Sequence, residues 1–106
     1  MPFSELSFEA ARLEGVAVLP NARAAELIFG GVRKHDADGS FSLKVRFAEV
    51  AHVTGLLDLV RLDMMGGEGN VAGVSEDESD GRLRWRFPLT AGCLMIEGAG
   101  VVVERV

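Results

Sequence analysis

Two runs of strictly alternating apolar and polar residues constrain the fold of this 106-residue chain more than any other feature. The run SFSLKVRF at 40–47 has an apolar residue at every second position, and the run RLRWRF at 82–87 does the same. Successive side chains of a β-strand point to opposite faces. This period of two therefore predicts two amphipathic strands, each with one face in the core. The predicted core residues are Phe41, Leu43, Val45, Phe47, Leu83, Trp85 and Phe87.

Turn signals recur at short intervals, and this spacing favours many short strands. The signals are EG at 14–15, PN at 20–21, DADG at 36–39, GGEGN at 66–70, SDG at 79–81 and GAG at 98–100. Asp-Gly precedes both alternating runs, which is typical of a hairpin turn. We therefore predict a mainly β fold over residues 1–106: a single-domain β-sandwich or barrel-like antiparallel sheet of roughly six to eight strands.

Two segments, 22–29 and 48–64, also carry helical signals. In the second, Val50, Val53, Leu57, Val60 and Met64 recur at helical spacing. Gly55, Thr54 and the β-branched valines favour strands instead. We predict strands in both segments; the alternative is an α+β domain in which one helix, around 48–64, packs on the sheet.

Composition excludes several classes of protein. A single cysteine, Cys93, allows neither an intramolecular disulfide nor a thiolate zinc cluster. No apolar stretch approaches the roughly 18 residues needed to cross a bilayer. The formal net charge is −5, and the sequence lacks the basic character of a nucleic-acid-binding domain. We therefore expect a cytoplasmic protein that needs no cofactor and binds neither membranes nor nucleic acid.

The segment KHDADGSF at 34–41 resembles part of a calcium loop but fails its spacing rules. A calcium loop of the EF-hand type places glycine at its sixth position and an acidic ligand at its twelfth. With Gly39 sixth, the twelfth residue is Val45; with Asp36 first, it is Phe47. We interpret the segment as a hairpin turn in which Asp36 and Asp38 bond to nearby backbone N–H groups.

No catalytic motif occurs in the sequence. Cys93 lies in the apolar segment AGCLMI, which predicts an inert, buried thiol. His52 is interpreted as a partly buried structural residue, and His35 as a solvated one. An enzyme or ligand pocket would require His52 and Cys93 to converge with Asp58, Asp63 or Glu49.

The arginine row, Arg82, Arg84 and Arg86, is the most distinctive candidate site. All three residues lie on the strand face opposite Trp85. If 41–47 is the neighbouring strand, Lys44 and Arg46 extend the row into a larger basic surface. Such a surface suits a small anion or another subunit, because guanidinium groups bind carboxylate and phosphate with paired donors. The alternative is an ordinary solvated face with cross-strand acids such as Glu97 or Glu104.

Three functional hypotheses follow. The first is a non-catalytic interaction protein that self-associates through a sheet face or edge, with the arginine row in the surface and the apolar segments CLMI and GVVV covered by a partner. The second is an immunity-like or inhibitor protein that binds a basic partner through the acidic segment 76–80, interpreted as a solvated loop. The third is the pocket or enzyme described above.

Overall fold

The computed structural model describes residues 3–35, 37–57, 71–89 and 92–106, and these residues form mostly β-strand. Two short 3₁₀ turns, Phe3–Glu5 and Pro20–Ala22, precede β1 and β3. The strands are β1 (Leu6–Ser7), β2 (Arg12–Leu19), β3 (Ala24–Lys34), β4 (Phe41–Ala48), β5 (His52–Leu57), β6 (Ser75–Ser79), β7 (Arg82–Leu89), β8 (Gly92–Gly98) and β9 (Gly100–Arg105). The mainly β prediction is confirmed.

These strands form two antiparallel sheets. The first sheet has the order β1-β3-β4-β9, and β2 also pairs with the long strand β3. The second sheet has the order β5-β8-β7-β6. In both sheets, residues paired across neighbouring strands point to the same face, so the registers determine which side chains lie together.

Two paired strands bend together from one sheet into the other. β4 continues into β5 and β8 continues into β9, while β4 pairs with β9 and β5 pairs with β8. At the bend, Ala99 N–H donates to the Ala48 carbonyl at 3.1 Å and Ala51 N–H donates to the Glu97 carbonyl at 2.8 Å. These bonds connect the two ladders across the corner, and the two sheets form a curled half-barrel.

The core lies between the two sheets and is mainly aromatic. Phe47 of the first sheet meets Trp85 of the second with ring centroids 4.9 Å apart, and Phe29 meets Phe87 at 5.5 Å. Phe8 adds an edge-on contact to Phe29 at 4.9 Å. All of these rings are buried. The alternating runs thus place their apolar faces in one core, as predicted.

Val71 connects the two sheets on the side away from the bend. Its N–H donates to the Ala11 carbonyl at 2.9 Å, and its carbonyl accepts from Ala10 N–H at 3.0 Å. On its other side Val71 forms a β-bridge to Leu89 at the end of β7. This buried residue links the β1–β2 connection to the second sheet.

The hairpin predictions are confirmed. The segment 35–40 joins β3 to β4, and Asp80-Gly81 joins β6 to β7. Asp80 and Gly81 have φ values of 54° and 75°, and positive φ at both central residues is the requirement of a type I′ turn. The strand prediction holds for 24–29 and 52–57. The rest of the alternative helix, 58–64, lies outside the described residues.

The geometry of the bend predicts that alanine substitutions at Gly98 and at Gly100 have very different effects on stability. A Cβ at Gly98 would lie 2.9 Å from the Ala48 carbonyl oxygen, whereas a Cβ at Gly100 would meet no atom within 4 Å. We expect Gly98→Ala to lower the free energy of unfolding by about 1–3 kcal/mol, because backbone must move to admit the methyl group. Gly100→Ala should be nearly neutral. Urea unfolding followed by fluorescence of Trp85 measures both; equal losses would contradict this account of the bend.

Candidate functional site

The arginine row lies on the outer face of the second sheet. Arg82, Arg84 and Arg86 alternate along β7 with the inward residues Trp85 and Phe87. β7 is flanked by β8 on one side and β6 on the other. One neighbour, β6, is acidic, and the other, β8, is mainly apolar and carries Glu97. The net charge around the row therefore depends on both strands.

Glu97 of β8 pairs with two members of the row. Its carboxylate lies 3.9 Å from Arg82 Nη1 and 4.0 Å from Arg84 Nη2. Arg84 Nε is buried and has no hydrogen-bond partner within the described ranges. Such long, partly exposed ion pairs contribute little to stability. They do neutralise part of the row, as the cross-strand alternative anticipated for Glu97.

Lys44 and Arg46 lie on the outer face of the first sheet, in β4, and not beside the arginine row. β4 pairs with β3 and β9, so 41–47 does not neighbour 82–87. Both cations bind Glu26 of β3: Lys44 Nζ lies 3.3 Å and Arg46 Nη1 3.1 Å from its carboxylate. The five predicted binding residues thus form two separate groups, because the strands that carry them belong to different sheets.

The two cations lower the pKa of Glu26 below its ordinary value of 4.5. The hydrogen bond from Arg46 is the larger cause, and the bond from Lys44 adds to it. A lowered pKa in the folded state stabilises the fold above the unfolded-state value. This stabilisation is lost as the pH falls through the folded-state pKa.

This pairing predicts a pH-dependent effect of Glu26→Gln. Near pH 7 the variant should unfold at lower urea than the parent, because only the ionised carboxylate attracts the two cations. Below the folded-state pKa of Glu26 the two proteins should have nearly equal midpoints. Glu104→Gln, which removes an equal charge from the same outer face, is the control and should change the midpoint less. A difference that does not shrink in acid would exclude this role for Glu26.

The acidic segment is an edge strand, so its interpretation as a loop is wrong, whereas its predicted exposure to solvent is confirmed. Residues 75–79 form β6, which pairs only with β7 among the described strands. All five residues are exposed. Its acidic composition suggested a loop. The Asp80-Gly81 turn instead folds the segment back onto β7, and hydrogen bonds to β7 pair the backbone groups along one edge of β6.

The acidic side chains project to both faces of β6. Asp77 is in register with Arg84 on the outer face, whereas Glu76 and Glu78 are in register with Trp85 and Leu83. Glu76 accepts a hydrogen bond from Trp85 Nε1 at 2.6 Å. This bond satisfies the indole donor of a buried ring and fixes β6 against β7.

A cleft of about 380 Å³ lies between the N-terminal segment and the residues that lead into β6. Polar and apolar groups line it in nearly equal measure, and Glu9 and Glu76 contribute acidic groups to the polar part. The residues that line it include Phe3, Leu6, Phe8, His35, Ala72 and Val74. The cleft therefore offers both apolar and polar surface, with two acidic groups, beside the open strand β6.

Cys93 and His52 are both exposed, which corrects two predictions. Cys93 was predicted to be buried, but Leu94 and Ile96 take the inward positions of β8, and the alternation turns Cys93 to the outer face. His52 lies in register with Glu97 on the same outer face. Cys93 is in register with Leu56, four residues along β5 from His52, or about 13 Å. The two residues therefore do not converge, and Asp58 and Asp63 lie outside the described residues.

The described part of KHDADGSF belongs to the β3–β4 hairpin, with His35 exposed. Gly39 has φ of 87°, a positive value that glycine adopts readily and that is common in turns. Asp36 lies outside the described residues, so its bonding stays a prediction. In the ranges that the structure describes, no group of three or more His, Cys, Asp or Glu side chains could hold a metal ion.

An apolar groove of about 400 Å³ crosses the outer face of the second sheet, and the sequence did not indicate it. Its lining comes from all four strands. The lining residues are Thr54, Gly55, Ser75, Arg86, Phe87, Pro88, Cys93, Leu94 and Met95. The alternation in GCLMI, taken from the inward Leu94, was the available signal that Cys93 and Met95 face outward.

In comparisons with known proteins, no family model matches the chain, and no curated protein or solved structure shows significant similarity to it. Among the described residues, no helix has the length and apolar character to span a membrane.

Proposed function

We propose that this chain is a small non-catalytic interaction protein that binds a basic, extended segment of a partner by adding it as a strand to β6. The observation that carries the proposal is that β6 is an exposed edge strand with acidic side chains on both faces. The proposal keeps the basic partner of the inhibitor-like hypothesis, but the acidic segment binds it as an edge strand and not as a loop.

The backbone of β6 supports this mode of binding. β6 uses one edge to pair with β7, and no other described strand pairs with its second edge. An open edge presents a row of N–H and C=O groups that an extended peptide can pair with. Backbone pairing supplies affinity without a particular side-chain sequence, so the charge of the partner has to supply selectivity.

The charge of β6 supports a basic partner. Glu76, Asp77 and Glu78 are consecutive, so a strand beside β6 meets negative charge on both of its faces. Opposite charges across neighbouring strands are favourable and like charges unfavourable. Acidic residues on an edge also prevent pairing between two copies of the protein. Protection against aggregation is the competing explanation, and it predicts no binding of a basic peptide.

The cleft beside β6 offers room for side chains of such a segment. It lies between β6 and the N-terminal residues, and its lining combines apolar side chains with polar ones that include Glu9 and Glu76. A peptide that alternates basic and apolar residues fits this pattern.

A peptide of alternating lysine and valine, KVKVKV, tests the proposal by calorimetry. We expect it to bind, and to bind more weakly as salt rises, because screening reduces attraction between exposed charges. The peptide with glutamate in place of lysine should not bind. N-methylation of alternate residues should abolish binding, because it removes the backbone donors that pair with β6. Binding that survives methylation, or no binding at low salt, would overturn the proposal.

The double variant Glu78→Gln/Asp80→Asn should raise the Kd for this peptide roughly 3–10-fold, from the loss of two exposed ion pairs. These positions avoid Glu76, which holds Trp85. The double variant Glu14→Gln/Glu104→Gln removes an equal charge away from β6 and is the control. Equal weakening by both variants would mean that net charge alone attracts the peptide.

Self-association is a second candidate, and the observation that favours it is on β9. β9 is the opposite kind of edge: its sequence GVVVER begins with uncharged residues, and Val102 is 64% exposed on the outer face of the first sheet. No described strand pairs with its second edge. Two copies can pair their β9 edges about a two-fold axis and cover Val102 in both.

Sedimentation velocity of three variants identifies the surface responsible. Val102→Lys should dissociate the dimer, because it places charge at the edge. Val18→Lys makes the same change on the exposed edge strand β2 and is the control. Arg84→Gln/Arg86→Gln should leave both the dimer and the melting temperature nearly unchanged; dissociation by this variant would instead identify the arginine row as the interface. A parent protein that is monomeric at high concentration would exclude self-association.

A further inference from the structure

We propose that the apolar groove on the outer face of the second sheet binds a small apolar monocarboxylate, whose carboxylate pairs with Arg86. The groove reaches β6 only at Ser75, and the proposal does not depend on strand addition at the edge of β6.

The shape of the groove follows from the sheet. The inward residues Gly55, Leu94 and Phe87 are in one register row and contribute its floor. The outward residues of the rows on either side form its walls: Thr54, Met95 and Arg86 on one side, Cys93 and Pro88 on the other. Four strands at their usual spacing give a length of about 14 Å.

The lining of the groove selects an apolar chain. Although Ser75, Thr54 and Arg86 contribute to it, the surface inside is almost wholly apolar. Arg86 is exposed, and a long amphipathic side chain of this kind can add its aliphatic stem to such a lining and keep its guanidinium in water. Ligand sites commonly combine such an apolar body with one charged group that fixes orientation.

Arg86 is the member of the arginine row that is available to a carboxylate. Arg82 and Arg84 approach Glu97, but Arg86 has no ion pair within the described residues. The reason is its register: Arg86 is opposite Ser75 on β6 and Met95 on β8, and neither is charged. A ligand carboxylate at the rim would complete the pairing along the row. A guanidinium donates two parallel bonds to a carboxylate, which a hydroxyl or an amine cannot accept.

Cys93 provides a direct readout of occupancy, because it is exposed in the groove wall and is the single cysteine of the chain. Octanoate should slow the alkylation of Cys93 by neutral iodoacetamide, with half-maximal protection on the order of 0.1–1 mM, as expected for a ligand of this size. In two-dimensional NMR spectra, octanoate should shift the amide signals of Phe87, Leu94 and Met95. Octanol and octylamine should protect Cys93 at least several-fold less well.

Two arginine variants separate this site from general attraction to positive charge. Arg86→Gln should abolish the preference for octanoate over octanol and retain weak protection by both. Arg82→Gln is the matched control, since Arg82 lies at the far end of the row and pairs with Glu97; it should bind octanoate as the parent does. Cys93→Phe should remove the octanoate-induced NMR shifts by filling the groove.

Several results would overturn the proposal. These are equal protection by octanoate and octylamine, equal loss of octanoate binding in the two arginine variants, or no protection and no shifts up to millimolar octanoate. Because no β6 acid is changed in any of these proteins, failure here leaves the strand-addition proposal unaffected, and failure of KVKVKV to bind leaves this one unaffected.

Discussion

The joint bend of two strand pairs is the constraint on which the rest of the structure depends. β4 and β9 belong to the first sheet, and their continuations β5 and β8 belong to the second. Residues 49–51 and 98–99 belong to neither of these two ladders, and the backbone bonds from Ala99 and Ala51 link the strand pairs across this corner. Because of this bend, the aromatic residues of the two sheets face each other. The bend requires glycine at position 98, where the Ala48 carbonyl leaves no room for a side chain.

Once the sheets face each other, the charges are distributed by register. Glu26 collects Lys44 and Arg46 on one outer face, and Glu97 approaches Arg82 and Arg84 on the other. Each cluster places one acid between two cations, so each acid neutralises half of the positive charge around it. Arg86 is the exception in the arginine row, because its neighbours across both strands are uncharged.

The edge strands β6 and β9 differ in the side chains that they expose. β6 carries acids on both faces, whereas β9 exposes Val102. An acidic edge disfavours pairing with a second copy of itself and an apolar edge does not, which is why we assign the two edges different partners. The hydrogen bond between Trp85 and Glu76 connects the core to the acidic edge. The position of β6 is thereby coupled to the most buried aromatic residue of the second sheet.

The sequence by itself determined the strand character of the chain, the inward faces of β4 and β7, and the two Asp-Gly turns. These follow from local rules, since side-chain alternation and turn geometry need only neighbouring residues. It misjudged Cys93 and His52, because apolar neighbours indicate burial of a segment and not the face on which one residue lies. Only the tertiary structure decided that Lys44 and Arg46 are separated from the arginine row, that β6 is an edge, and that a groove forms around Arg86. Strand order depends on contacts between residues distant in the chain, above all the bend at Gly98, and no local pattern contains that information.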